Sequence, residues 1–97
     1  MLGVEDRARL AENQAYFREV NERIGGQAQL LEGDGHLYRF LCECTNASCH
    51  VAVSVSLAEY REIRSHPGRS LIIPGHERLE IEHVVLRTER FAVSEPM

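Results

Sequence analysis

Three cysteines within eight residues, Cys42, Cys44 and Cys49, constrain this 97-residue chain more than any other feature. An odd number of thiols cannot close a fully paired disulfide framework within one chain. Cys42 and Cys44 are two apart, so an extended backbone turns both sulfurs to one side. A bend over residues 45–48 brings Cys49 round to face them. Three thiolates at one hairpin tip are most of a tetrahedral zinc site, which needs four donors about 2.0–2.3 Å from the ion. The turn residues Thr45, Asn46 and Ser48 supply amides that can hydrogen-bond to sulfur and spread its charge.

Three histidines compete for the fourth position. His76 fits best: it follows Pro74-Gly75, a turn that can aim one side chain back at the end of a sheet. His50 is adjacent to Cys49, and consecutive residues reach one tetrahedral ion only with strain. His83 falls inside a later β-rich run, facing core or solvent. Two readings without metal stand beside the zinc site. Free cysteines serve as small buried hydrophobes, and Cys42 with Cys49 would make a cross-hairpin disulfide in an exported protein. Size favours the metal. An 11.0 kDa chain sits where a single core is marginal, and a structural zinc ion contributes on the order of 10 kcal/mol of apparent binding energy.

The remaining residues predict an α+β fold: a small, mostly antiparallel sheet with an N-terminal amphipathic helix and one short inserted helix, stabilised by zinc. Leu10, Phe17, Val20 and Ile24 recur at helical spacing, with Glu5 and Asp6 early and Arg23 late to suit the helix dipole. Residues 1–24 are therefore read as that helix, stopped by Gly25-Gly26. The glycine-rich stretch 25–36 is read as a connector holding Leu30 and Leu31 against the core, and 37–97 as a single small zinc-binding domain. In it, LYRFLCEC alternates as a strand, with Tyr38, Phe40, Cys42 and Cys44 on one face and Arg39, Leu41 and Glu43 on the other. HVAVSVS follows as its hairpin partner, with Val51, Val53 and Val55 on one face. Ser56 and Glu59 form a capping box that opens a helix, and Ser65-His66-Pro67-Gly68 closes it. A third strand is expected from Ser70 to Ile73, and a terminal hairpin around a charged turn at Arg87 to Arg90.

Composition narrows the chemistry. All eleven basic residues are Arg, thirteen of the fifteen acids are Glu, and the net charge is −4. The absence of lysine excludes Schiff-base and lysine general-base mechanisms within this chain. Net acidity, with no basic stripe and no interleaved aromatics, speaks against nucleic-acid binding. No apolar run approaches the roughly 20 residues that span a bilayer, and MLGVEDRARL lacks a secretory layout. The expected location is cytoplasmic.

Lesser motifs carry less. His76-Glu77 begins the helical zinc-protease pattern, but position 80 is Glu80, so the second histidine is missing. Gly33-Asp34-Gly35-His36 lacks the lysine and helix of a phosphate loop. Asn46-Ala47-Ser48 has the form of a glycosylation acceptor, meaningful only outside the cytoplasm.

The stretches FLCECTNASC, SLAEYREIRSHPGRSLIIPGHE and VVLRTERFAVSE resemble a family of small bacterial proteins, mostly actinobacterial, over roughly residues 17–95. Its hallmark is C-x-C-x4-C with a later Pro-Gly-His, here Cys42, Cys44, Cys49 and Pro74-Gly75-His76. This chain lacks the closing lysine usual there. The resemblance implies His76 as the fourth ligand and brings no activity with it. The expected function is a non-enzymatic zinc module for protein interaction or regulation. Its partner, an unidentified protein or a second copy, would bind the helix stripe Leu10, Phe17, Val20 and Ile24. The alternatives are a redox switch that releases zinc on thiol oxidation, and a zinc hydrolase with Glu43 or Glu77 as base.

Overall fold

The computed structural model describes residues 3–31 and 36–97 (backbone alone for 29–31). In chain order these form α1 (Val4–Leu31), β1 (Leu37–Leu41), β2 (Ala52–Ser56), α2 (Leu57–Arg64), β3 (Ser70–Ile72), β4 (Glu82–Arg87) and β5 (Ala92–Pro96). The class is α+β and the pairing antiparallel, but the strands divide into two small sheets, β1–β2 and β3–β5–β4. In the first, Phe40 lies opposite Val53 and Tyr38 opposite Val55. Phe40, Val53 and Val55 are fully buried, as the period of two requires. Val51 departs from that reading: it precedes β2 and is 45% exposed.

β1 is also shorter than its sequence pattern, ending at Leu41. Beyond it the extended chain changes partners. The Cys42 amide donates to the Val51 carbonyl (2.9 Å), and the next amide, of Glu43, donates the other way to Leu71 in β3 (2.7 Å). The cysteine segment thus bridges the two sheets. Around it Phe40, Tyr60, Ile63, Leu71, Phe91 and Val93 form one continuous core.

α2 begins where the capping box places it. The Ser56 hydroxyl accepts from the Glu59 amide (3.1 Å) while the Glu59 carboxylate accepts from the Ser56 amide (2.9 Å). The helix ends at Arg64, before the His66-Pro67-Gly68 turn, in which Gly68 takes a φ of +85°. In the terminal hairpin Thr88 closes the charged turn, its amide donating to the Phe91 carbonyl (2.8 Å).

α1 requires the main correction. It does not stop at Gly25-Gly26 but runs through both glycines to Leu31, so there is no connector from residue 25. Gly25 is needed for packing: a Cβ there would lie 3.1 Å from the Tyr60 ring, which itself stacks on Phe40 with centroids 4.3 Å apart. The expectations for the 32–35 part of the connector, and for the Leu30 and Leu31 side chains, fall outside the described residues. At 1.5 Å per residue this helix is about 42 Å long, which accounts for the 44 Å long axis of the molecule.

The face that α1 buries is also rotated from the predicted stripe. Its most enclosed residues are Gln14, Phe17, Asn21, Gly25 and Ala28. Phe17 is 2% exposed and Ile24 packs against the core, while Leu10 and Val20 are half-buried. Two members of the stripe are therefore occupied inside this chain. Among the described residues no helix is long and apolar enough to cross a membrane.

Candidate metal centre

Two turns bring the four donors together. In the first, the Asn46 side chain accepts from the Ser48 amide (2.9 Å) and the Asn46 carbonyl accepts from the Cys49 amide (3.0 Å). This pair folds the chain back so that Cys49 meets Cys42 and Cys44. In the second, the His76 amide donates to the Ile73 carbonyl (3.0 Å) across Pro74-Gly75. Proline is preset for the second position of a type II turn, and the third needs positive φ, which Gly75 supplies at +98°. The turn directs His76 back onto the cysteines.

The three sulfurs and a His76 ring nitrogen all lie within 4.8 Å of one another. His76 Nδ1 is 3.5 Å from Cys42 Sγ and 3.7 Å from Cys49 Sγ. Donors about 2.0–2.3 Å from a tetrahedral cation stand about 3.5–3.8 Å apart, so these edges already match. The cysteines are buried at 0%, 2% and 7% exposure in chain order. The Ile73 amide donates to Cys42 Sγ (3.2 Å), a backbone contact that favours thiolate. The group is compatible with a metal-binding site.

Proton chemistry points the same way. The side-chain hydrogen bond between Cys42 and Cys44 is the largest influence on both, raising the first thiol and lowering the second; burial raises Cys42 further. Burial also raises Cys49. Buried sulfurs this close resist carrying several negative charges together, and a bound dication removes that conflict.

The other histidine candidates are elsewhere. His50 is exposed, its ring edge-on to Phe17 with centroids 6.1 Å apart. His83 is exposed with Nε2 3.0 Å from the Glu95 carboxylate. No family model, curated protein or solved structure matches this chain. Any function must be read from the chain's own side chains.

The two carboxylates considered as hydrolytic bases are both engaged. Glu43 is fully buried and accepts from Asn21 Nδ2 (2.8 Å), Arg64 Nη2 (3.1 Å) and the Leu71 amide (2.8 Å). Its oxygens serve α1, α2 and β3. Burial pushes this carboxyl up, against the opposing pull of Arg64, Asn21 and the Leu71 amide. Glu77 accepts from the Gly75 amide (3.0 Å) and from Arg87 Nη2 (3.2 Å), bracing the turn that carries His76.

Sequence reasoning missed the polar residues that join α1 to the cysteine segment and to the second sheet. Asn21 Nδ2 donates to the Leu41 carbonyl (2.7 Å) while its Oδ1 accepts from the Leu41 amide (2.8 Å), closing the outer edge of β1 as a neighbouring strand would. Asn13 Nδ2 donates to the carbonyl of Thr45, inside the cysteine loop (2.8 Å). Gln14 Nε2 donates to the buried Glu82 (2.7 Å), which also accepts from the Ser94 hydroxyl (2.6 Å). The available signal was positional: Gln14 and Asn21 flank Phe17 at three and four residues, on its own helical face.

Proposed function

We propose that this protein is a non-enzymatic zinc-binding module, with a structural ion held by Cys42, Cys44, Cys49 and His76, that acts in protein interaction or regulation. The observation that supports this reading is the convergence of three thiols and one imidazole within 4.8 Å, a donor set that fills tetrahedral coordination. Three sulfurs and one nitrogen favour zinc over the hard cations that prefer oxygen. With four protein donors in place, a substrate or water has no position to occupy. Of the helix stripe expected to meet a partner, Leu10 and Val20 are half-buried and remain partly open for one.

Cobalt substitution tests this reading. The cobalt(II) protein is expected to show the intense visible absorption of a tetrahedral thiolate site, unchanged when azide is added. A weak octahedral spectrum, or a shift with azide, would contradict a closed four-ligand site.

One observation favours a second, redox-responsive reading of the same centre. Cys44 and His76 line an open cleft of about 280 Å³ with Thr45, Asn46, Glu77 and Arg78, so a small oxidant can approach the Cys44 side of the centre. Two thiolates would give two electrons to hydrogen peroxide, forming one disulfide. The peroxide, with two protons, would leave as two waters, and the zinc ion would be released. Zinc release at peroxide doses far below those that unfold the protein supports this version. Release only on unfolding supports the structural one.

A further inference from the structure

Three side-chain anchors of α1 go to one short stretch of the chain, the segment that carries the cysteines. Asn13, Phe17 and Asn21 fall at spacings of four along one helical face. Asn13 bonds to the carbonyl of Thr45, between Cys44 and Asn46. Phe17 packs edge-on against His50, next to Cys49. Asn21 takes both backbone groups of Leu41 and one oxygen of Glu43, the residues on either side of Cys42. Each anchor thus lands within one residue of a cysteine. Other anchors of α1 go elsewhere: Gln14 to Glu82, Arg18 to Gly68 and Ser70, and Ile24 and Gly25 against the core around Tyr60.

Thr45 and His50 lie outside the regular strands, whereas Leu41 ends β1 opposite Ala52 and Glu43 is held by Leu71 and Arg64. Within the loop from Cys42 to Cys49, Glu43 is fixed by Leu71 and Arg64, and the Thr45–Cys49 part holds its shape through the Asn46 turn and, when the site is filled, through the bonds of Cys44 and Cys49 to the metal. Resting on the zinc reading above, we infer that the bound metal steadies the loop on which the Asn13–Asn21 part of α1 is anchored, and so tightens its docking on the body of the protein. Emptying the site loosens the Asn13–Asn21 part of α1 and uncovers Phe17, while the β3–β5–β4 sheet keeps its own hydrogen bonds. The state of the metal is then read in the mobility of a helix that carries none of its ligands.

Hydrogen exchange on the full chain tests this, after zinc content is measured. Removing the ion with a chelator is expected to speed amide exchange over residues 13–25 by at least about tenfold while β5 retains its protection. In the zinc-loaded protein, the double variant Asn13→Ala/Asn21→Ala is expected to loosen the same helix and still bind one zinc ion. Three results would overturn the inference: unchanged α1 protection after verified zinc loss, equal loss of protection in α1 and β5, or an unaffected helix in the double variant. In each case the metal site itself still stands. A full chain that binds no zinc removes both the site and the coupling.

Discussion

Glu43 shows how much rests on single side chains here. Alternation along the extended chain turns Cys42 and Cys44 towards His76 and puts Glu43 on the other side, where three elements bond to its carboxylate. Glu43→Ala leaves the Arg64 guanidinium, 17% exposed, without its acid, and is expected to cost about 3–5 kcal/mol of stability. Chemical denaturation of the zinc-loaded variant measures this; a loss under about 1 kcal/mol would mean the network carries no weight. At this scale the convergence of Cys42, Cys44, Cys49 and His76 was legible in the sequence, because cysteine spacing and Pro-Gly-His each dictate a local geometry. Glu43 was read as an outward residue or a base, because alternation says which side a residue faces and not what covers that side. Asn21 and Gln14 were passed over for the same reason. A search for apolar spacing discards polar residues, although an amide paired with a buried carboxylate fits an interior as well as leucine does.

Elements were read well where local chemistry decides them and poorly where packing does. The capping box of α2 is a local device, and Ser56→Ala should cost about 1 kcal/mol, lowering the thermal midpoint by about 4–8 °C. Burial alone would raise the Glu59 carboxyl, but the hydrogen bonds from Arg90 (2.8 Å) and the Ser56 amide outweigh it and hold its pKa below the ordinary carboxylate value. A depressed carboxyl contributes stability that is complete above the unfolded pKa, about 4.3, and is lost as pH falls through the lower folded value. The stability difference between the wild type and Arg90→Ala should therefore hold at neutral pH and narrow below about pH 4; a gap that widens in acid would reverse the assignment. The glycines of α1 were misread because Gly-Gly is a helix terminator by propensity, and only the Tyr60 ring explains why Gly25 sits inside one. Gly26 has open space around it. Gly26→Ala should stabilise the helix by about 0.5–1 kcal/mol, while Gly25→Ala must displace the ring and gains less. Equal gains at both positions would remove the packing explanation.

For the whole molecule, two small antiparallel sheets and a helix spanning its length meet at the cysteine segment. Strand count and order of elements could be read from sequence periodicity. The split into two sheets could not, because it depends on consecutive amides, those of Cys42 and Glu43, bonding to different strands. An 11.0 kDa domain organised around one junction has little apolar core to spare, so a cation at that junction would set its stability. The direct measurement is the metal content and thermal midpoint of untagged wild type beside Cys42→Ser and His76→Ala. One zinc ion per wild-type chain is expected, with loss of the ion and a lower midpoint in both variants. A wild type free of zinc, or variants that keep both the ion and the midpoint, would contradict the centre proposed for Cys42, Cys44, Cys49 and His76.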